Sequence, residues 1–508
     1  MTYINSLRDQ NWLIPQSIQD MISKDHICFF VEEFVDSLDF SNFDLIYEGP
    51  GHPAYHPRII MKVIIQGMLC KERSSRILAR ACKENFVFMY LAEKVFPDFR
   101  TIARFRKNNA SFVKEAFKET IKLASENKLI DLSLLCIDGS TIKANANRKK
   151  SIRRENLEKL DSIIQKMVEE DIKQDEIDEQ LNKNESLERR DRNDFKKIIS
   201  DYRKAKNKER IKKSIEQAKE QLKDEKVKRI SLSDPSCRMM QNKQKVNELC
   251  YNTQLSASKN QIIVANDVCQ DGHDVHQFIP QVENIKQNIS LPKKAKLAVD
   301  CGYSDGENIH YAEENKIDLY VPSRAQAQRF DGKVENLNHD NYEYDNKKKE
   351  LVVNGERFGF RGNYTRKDGR VIATFYSKKL KKKKDVPFFF KERLRMKAKM
   401  ETKEGVFIYM QRKTSIEPVL GNIKENFGFR KFYLRGLENT RTEMNIVCIA
   451  HNLKKIYTIK MKKEEKLRMH EKDLCNFNKK LSFIENYLIL ILNYETASAV
   501  QLSELCED

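Results

Sequence analysis

The chain has 508 residues, enough for several domains with ordinary hydrophobic cores. Its formal net charge is +19, from 94 Lys and Arg against 75 Asp and Glu, which indicates a polyanionic partner, most simply nucleic acid. The alternative is a basic surface that is only solvated. The first residues, MTYINSLRDQNW, lack the apolar core of a secretory signal, and the most apolar run, 483–494, is too short to span a bilayer. We therefore expect a cytoplasmic protein without a membrane segment.

The eleven cysteines are scattered along the chain, and no Cys-x-x-Cys pair occurs. Several of them, such as Cys136 and Cys448, lie inside apolar runs. This distribution is typical of reduced core thiols in a cytoplasmic protein and disfavours disulfides and zinc sites.

Residues 1–130 are predicted to be helical, and one helix begins at Pro57, where a first turn tolerates proline. Farther along, two short helices joined by a tight turn are typical of a helix-turn-helix that reads a DNA groove. The alternative is a plain helical bundle with a solvated basic face. The candidate DNA contacts in this region are Arg76, Arg104, Arg106 and Lys107.

Residues 131–145 are predicted to form a strand in which the apolar run Leu134–Ile137 ends in Asp138 and a Gly-Ser pair. From 148 to 230 the composition becomes strongly charged, and apolar residues recur at helical spacing along a narrow stripe. The stripe is interrupted near NKNESLERRDRND. This pattern predicts a protruding helical hairpin, a structural or interaction arm.

Strand patterns resume at 247–268, where Ser258-Lys259-Asn260 separates two extended runs as a hairpin turn does. A helix is predicted near 275–288. The segment AKLAVDCGYSD then gives a short strand that ends in a second acid, Asp300. A helix near 306–314 and a strand at 317–323 follow.

Residues 324–403 are predicted to form a small β insertion, with hairpin turns at Asn354-Gly355 and Asp368-Gly369. Its tail, 378–399, is a basic run interleaved with aromatic residues. A solvated lysine cluster is the alternative, but the charge of the whole chain favours contact with a phosphate backbone.

Once the two insertions are removed, the order is three strands, helix, strand, helix, strand, helix, which predicts a mixed sheet flanked by helices, of α+β or α/β class. Acids end the first and fourth of these strands. The predicted division is 1–130 as a helical DNA-binding region, 131–147, 231–323 and 404–460 as the core, 148–230 as the arm, 324–403 as the β insertion, and 461–508 as C-terminal helices.

A third acid, Glu417, lies on a late helix and shares a face with Lys424, seven residues on. Asp138, Asp300 and Glu417 are expected to converge at one edge of the sheet. Neighbouring carboxylates repel each other, and two Mg²⁺ ions held by their oxygens could activate an attacking hydroxyl and stabilise a leaving oxygen of a phosphodiester. A strand-end Asp alone is more often a turn residue, and a helix Glu is usually solvated; the combination points to metal chemistry.

These residues lie in segments that resemble bacterial insertion-sequence transposases with a DDE catalytic domain, in the branch with a Tyr-Arg-Glu-Lys signature. The resemblance runs from about residue 10 to 457 and implies a ribonuclease-H-like, five-stranded mixed sheet. The segments that carry it are HPRIIMKVIIQGMLCKERSSRILARACKENFVFMYL, DFRTIARFRK, IDGSTIKANAN, QDGHDVHQF, VDCGYSD and SIEPVLGNIKENFGFRKFYLRGLENTRTEMNIVCIAHNLKKI.

By this resemblance, the three acids would be the catalytic, metal-binding triad, with two Mg²⁺ ions and Mn²⁺ as a substitute. Four residues separate Arg412 from Glu417, where the best-known signature has three. Many relatives carry a cysteine cluster in the β insertion; 324–403 contains none, which predicts no zinc. Tyr409, Arg412 and Lys424 would hold phosphates near the cleaved end. The further phosphate contacts predicted nearby are Lys143, Arg430 and Lys431.

The resemblance further implies an enzyme, associated with the bacterial nucleoid, that binds the terminal inverted repeats of its own element as a homodimer. Water would cleave DNA at the element ends, and the freed 3′-hydroxyl would attack target DNA. The alternatives are a ribonuclease-H-like nuclease that does not join strands, and a DNA-binding protein that has lost catalysis. His273 and His276 are predicted to be loop and helix-start residues rather than a metal pair, and His451 a core histidine.

Overall fold

The computed structural model describes residues 17–43, 54–169, 181, 188–204, 207–224, 227–241, 246–332, 342–367, 369–466 and 468. The apolar run 483–494, most of the predicted C-terminal helices, part of the interruption in the arm and Asp368 lie outside these residues. Two compact units are distinguished, Met1–Leu453 and Lys454–Asp508, and residues 454–466 of the second are helical. No helix among the described residues is long and apolar enough to cross a bilayer.

The N-terminal region is helical, as predicted. Its second helix begins at Pro57 and is buried on nearly every side, because apolar residues are distributed around its whole circumference. Asp98 caps the fifth helix by accepting hydrogen bonds from Arg100 N and Thr101 N. The pair predicted as a helix-turn-helix contains an additional short helix between its members. The helices are α1 Ile27–Asp36, α2 Pro57–Leu69, α3 Ser75–Glu84, α4 Phe86–Leu91, α5 Phe99–Asn108 and α6 Ala110–Glu126.

The central sheet has the strand order β4-β5-β1-β7-β8, and β6 pairs with β5 on the edge that β4 also uses. β1, β7 and β8 are parallel, whereas β5 and β6 form an antiparallel hairpin beside β1. This is the ribonuclease-H-like mixed sheet that was predicted, and the short β4 adds a sixth strand. The first eight strands are β1 Leu135–Lys143, β2 Ser151–Arg153, β3 Arg229–Ser231, β4 Arg238–Gln241, β5 Asn247–Ser258, β6 Ile263–Cys269, β7 Lys296–Val299 and β8 Asp318–Tyr320.

The arm is helical and has its own apolar core. Strands β2 and β3 pair antiparallel at its base, with Ser151 opposite Ser231. Leu160 and Ile164 of the predicted stripe are buried there together with Ile199. Its described helices are α7 Arg154–Glu169, α8 Arg189–Arg203 and α9 Lys208–Gln221.

The β insertion is a five-stranded antiparallel sheet, ordered β13-β12-β11-β10-β9. Asn354 and Gly355 both have positive φ, 51° and 79°, as a two-residue hairpin turn requires, so the predicted turn between β10 and β11 is confirmed. Phe390, at the start of the following helix, packs into the insertion's core. The strands are β9 Tyr342–Asp345, β10 Glu350–Val353, β11 Glu356–Thr365, β12 Val371–Ser377 and β13 Lys382–Pro387.

The remaining helices flank the central sheet or connect it to the insertion. Gln281 fixes α10 to the sheet by donating from Nε2 to Ser256 Oγ at 2.9 Å. These remaining helices are α10 Phe278–Asn288, α11 Gly306–Glu314, α12 Arg324–Phe330, α13 Phe390–Glu401, α14 Lys403–Met410, α15 Arg412–Ser415 and α16 Glu417–Gly421, followed by a π-helical turn, Asn422–Asn426. Residues 437–453 form the last helix of the first unit.

A buried arginine joins the N-terminal helices to the C-terminal part of the first unit. Arg73, between α2 and α3, donates from Nη1 to Lys431 O at 2.8 Å and pairs with Glu443 at 3.4 Å. Its guanidinium lies between the rings of Phe429 and Tyr433, 4.7 and 4.2 Å from their centroids. Glu443 also accepts hydrogen bonds from two backbone N–H groups, at 433 and 434. Both charges of this pair are thus satisfied inside the protein.

Candidate active site

Two of the predicted acids are brought together by the pairing of parallel strands. The register of β1 and β7 runs from Leu135 opposite Leu297 to Ile137 opposite Val299. The residue that follows each of these paired segments is an aspartate, Asp138 after Ile137 and Asp300 after Val299. Because both strands run in the same direction, the two carboxylates come to the same edge of the sheet.

Arg412 lies between these two aspartates. Its Nη2 is 3.0 Å from Asp138 Oδ2, and its Nη1 is 3.4 Å from Asp300 Oδ1. Tyr409 donates from its hydroxyl to Asp300 Oδ1 at 3.3 Å and accepts a hydrogen bond from Arg412 Nη1 at 3.3 Å. The Arg412 side chain is only 6% exposed, whereas that of Asp300 is 43% exposed. One guanidinium therefore serves two carboxylates, of which one is open to solvent.

The charges of this site are perturbed by burial and by one another. Burial raises the pKa of Asp138 to about 6; Arg412 opposes the shift, and the nearby Asp300 adds to it. Burial by itself would lower the pKa of Arg412, but the carboxylates of Asp138 and Asp300 raise it above its usual value. Two carboxylates against one guanidinium leave a net negative charge, and the site consequently favours an additional cation.

Glu417, the third predicted acid, is not in contact with the other two. Its side chain is exposed at the start of α16 and makes no hydrogen bond or ion pair with the described residues. In a regular helix, five residues turn the chain by about 140° beyond a full turn. Glu417 consequently lies on a different side of the helix from the buried Arg412. Within the described residues no three His, Cys, Asp or Glu side chains are grouped as metal ligands, and the triad stays a prediction.

The carboxylate oxygens of Asp138 and Asp300 are suitable ligands for a divalent cation. Both carboxylates already share one positive group, and carboxylate oxygens are the ligands that Mg²⁺ prefers. One or two carboxylates, completed by water and substrate phosphate, are the usual protein contribution to a magnesium site. The two aspartates meet that requirement without Glu417.

Two parts of the chain match protein-family models. Residues 16–108 match a family model described as a transposase domain (DUF772), and residues 376–457 match one described as a transposase DDE domain. The chain belongs to the insertion-sequence DDE transposases. The second match covers Tyr409, Arg412 and Glu417. No curated protein and no solved structure matches the chain.

The other predicted phosphate contacts of the transposase lie on its surface or near it. Lys143, Arg430 and Lys431 are exposed, and Lys424 is half-buried. The chain after the π-helical turn pairs with the end of β1, since Phe432 N donates to Lys143 O at 2.8 Å. This pairing brings Lys143 and Lys431 side by side. Lys143 also pairs with Glu248 at 2.5 Å.

The predicted N-terminal DNA contacts divide into two kinds. Arg76, Arg104 and Lys107 are exposed. Arg106 is buried, and its Nη1 donates to Arg73 O at 2.5 Å. Its side chain therefore points into the protein, where it supports the loop that carries Arg73. We remove Arg106 from the DNA contacts, because a buried guanidinium could reach DNA only if the helices separated.

The motif QDGHDVHQF holds a residue that the sequence reasoning missed. His273 and His276 are exposed, at the start and within a short 3₁₀ helix, Asp274–Gln277. Asp274, between them, faces the sheet, and its Oδ1 accepts hydrogen bonds from Asn252 Nδ2 and Gln254 Nε2, both at 2.7 Å. Its partners are 20 and 22 residues away in the sequence, so that only the folded hairpin reveals the contact.

His451 occupies the core position predicted for it. It is buried, its Nε2 lies 2.9 Å from Gln261 O, and its Nδ1 lies 2.9 Å from Asn422 Nδ2. Both ring nitrogens are thus hydrogen-bonded.

Proposed function

We propose that this transposase cleaves DNA at the ends of its element by metal-dependent phosphodiester hydrolysis and joins the freed 3′-hydroxyl to target DNA. The observation that carries the proposal is the meeting of Asp138 and Asp300 at one sheet edge around a single shared cationic group. Asp138, Asp300 and Glu417 would hold two Mg²⁺ ions, or Mn²⁺ in their place, which would supply Lewis-acid activation of the attacking oxygen and stabilisation of the leaving oxygen.

Arg412 and Tyr409 are proposed to move from the aspartates to the DNA. In the free protein, both groups direct hydrogen-bond donors at Asp300. A phosphate offers the same acceptor chemistry as a carboxylate, and a guanidinium can bind two of its oxygens at once. Transfer of these donors to the phosphate frees the aspartate oxygens to hold metal and fixes the scissile bond beside them.

Glu417 is proposed to join the aspartates when DNA binds. The helix that carries it is broken into short segments around Arg412 and ends in a π-helical turn. Such irregular turns often mark functional positions, because they permit small changes in helical register. A rotation of α16 would carry the exposed Glu417 carboxylate toward the two aspartates.

The DNA is proposed to lie across several exposed basic groups. Arg104 and Lys107 lie on α5, and the strand β13 begins with exposed lysines at 382, 383 and 384. Lysines of this kind bind the phosphate backbone without reading its sequence. Specific recognition of terminal inverted repeats is assigned to the N-terminal helices, with two copies of the chain bridging two ends.

The proposal is tested with the purified full chain, Mg²⁺, duplexes that carry the element ends, taken from the DNA flanking the gene, and a target plasmid. Joined products are expected. Cleaved ends without joined products would indicate a nuclease, and binding without cleavage would indicate a silent derivative.

The site residues are tested by the variants Asp138→Asn, Asp300→Asn and Glu417→Gln. Each is expected to reduce cleavage by more than about 100-fold, because loss of even an outer-shell partner of a metal ligand costs about 10- to 100-fold. DNA binding should be nearly unchanged. Glu404→Gln is the matched control, since Glu404 is an exposed acid two helical segments earlier that pairs with Lys296. Cleavage that survives Glu417→Gln would refute its place in the triad.

A further inference from the structure

Asp274 lies between two glycines, each of which follows a proposed metal ligand. A Cβ added to Gly139 would be 2.3 Å from Asp274 Oδ1, and one added to Gly302 would be 3.5 Å from Asp274 Oδ2. Gly139 directly follows Asp138, and Gly302 comes two residues after Asp300. One carboxylate thus lies against both segments that follow the aspartates, strand β1 at Gly139 and the 3₁₀ turn Cys301–Tyr303, and Gly139 must lack a side chain for this contact to exist.

The Asp274 carboxylate is held in place by two strand residues. Asn252 and Gln254 donate to the same oxygen, Oδ1, and Gln254 is directly opposite Gly139 in the pairing of β5 with β1. The buried Tyr303 donates its hydroxyl to Gln254 Oε1, which fixes the amide so that its Nε2 points to Asp274. Hydrogen bonds from neutral amides to an ionised carboxylate are stronger than those between neutral groups, and this network is accordingly rigid.

The position of Asp274 excludes it from direct contact with what Asp138 binds. Successive side chains of a strand point to opposite faces, so the Gly139 side of β1 is the face opposite the Asp138 carboxylate. Asp274 therefore lies on the opposite face of the sheet from the Asp138 carboxylate. Its negative charge nevertheless acts on Asp138 through the sheet, in the same direction as the charge of Asp300.

We propose that Asp274 is a positioning residue of the transposase: it clamps strand β1 at Gly139 and the 3₁₀ turn after Asp300, and it adds the negative charge that favours a divalent cation there. This inference rests on the proposed role of Asp138 and Asp300. Asp274 is not a ligand, and its effect is transmitted through Gly139 and Gly302.

The test measures the binding of Mn²⁺ alone to the full chain without DNA, from the electron paramagnetic resonance signal of free Mn²⁺. Asp274→Asn keeps an oxygen that Asn252 and Gln254 can bond and removes only the charge; Asp274→Ala removes the clamp as well. Asp138→Asn is the reference for loss of a ligand. Asp271→Asn is the matched control, because Asp271 lies in the same loop and its Oδ1 accepts only from His273 N among the described contacts.

We expect Asp138→Asn to abolish tight Mn²⁺ binding, Asp274→Asn to raise the Mn²⁺ Kd about 10-fold, as outer-shell changes do, and Asp274→Ala to raise it further. Asp271→Asn should leave the Kd unchanged, and the melting temperature of Asp274→Asn without metal should equal that of the unaltered chain. An unchanged Kd in Asp274→Asn, while Asp138→Asn loses binding, would overturn the role of Asp274 alone. Unchanged binding in Asp138→Asn would overturn both this role and the proposed metal site.

Discussion

Replacement of Arg412 by Gln should destabilise the metal-free transposase in a pH-dependent way. Arg412 is the shared counter-ion of Asp138 and Asp300, at 3.0 and 3.4 Å. Glutamine keeps a hydrogen-bond donor of similar shape but leaves two neighbouring carboxylates without a positive charge. The cost depends on how many of these carboxylates are ionised, and pH controls that number.

The expected size of the effect follows from the burial of the three groups. Removal of one partner of a buried ion pair costs about 3–5 kcal/mol. Asp300 is 43% exposed, so its share is screened by solvent, and we expect about 3 kcal/mol at pH 8. The pKa of Asp138 is raised to about 6, so that below this pH the folded protein holds a proton there. At pH 5 that proton replaces the lost guanidinium, and the destabilisation should fall to about 1 kcal/mol, the value of an ordinary hydrogen bond.

The assay is urea unfolding of the full chain, followed by circular dichroism in EDTA at pH 8 and pH 5. Arg104→Gln is the control, because Arg104 is exposed on α5, and it should change stability little at either pH. Equal losses for Arg412→Gln at the two pH values, or no loss at pH 8, would refute the view that Arg412 neutralises the aspartates.

Three other outcomes are expected. Cleavage at subsaturating Mg²⁺ should increase as pH rises through about 6, because Asp138 must lose its proton before it can hold metal; a pH-rate profile flat from 5 to 7 would contradict this. Arg106→Ala should lower the urea midpoint, whereas Arg104→Ala should weaken DNA binding in a gel-shift assay with its urea midpoint unchanged; the reverse pattern would restore Arg106 to the DNA surface. Glu443→Gln should cost about 3–5 kcal/mol in urea unfolding, because Arg73 would remain buried and unpaired, and a loss below about 1 kcal/mol would show that the pair is dispensable.

The meeting of Asp138 and Asp300 at one edge of the sheet could be predicted from the sequence because its causes are local. Short apolar runs precede Asp138 and Asp300, and the order of strands and helices makes β1 and β7 parallel neighbours; Asp300 follows the end of β7, whereas β1 continues past Asp138 to Lys143. The turn at Asn354-Gly355 was predictable for the same reason, since two consecutive positive φ angles favour these two residue types.

What escaped prediction depends on tertiary partners. Arg106 was predicted to contact DNA, although it lies four residues after the buried Ile102 and thus on the inner face of α5. Its acceptor, Arg73 O, belongs to the loop between α2 and α3. Asp274 was overlooked beside two more conspicuous histidines, because the amides that hold it belong to β5.

The spacing between Arg412 and Glu417 was noticed in the sequence, but its consequence was not. The extra residue concerns Glu417 as much as Arg412, because five positions turn a regular helix by about 140° beyond a full turn. The structure places Arg412 inward and Glu417 outward, with the helix broken at Ile416 between them. The break coincides with Pro418, the second residue of α16, which has no N–H to bond back to Thr414 O.

The Arg73–Glu443 pair sets a condition on any exchange of parts between related elements. If the N-terminal helices were replaced by foreign helices without an arginine at position 73, Glu443 would remain buried without its counter-ion. Replacement N-terminal helices should therefore carry an arginine at position 73 if Glu443 is kept. Engineers who wish to redirect the enzyme to new ends should alter exposed side chains on α5 and keep the joint intact.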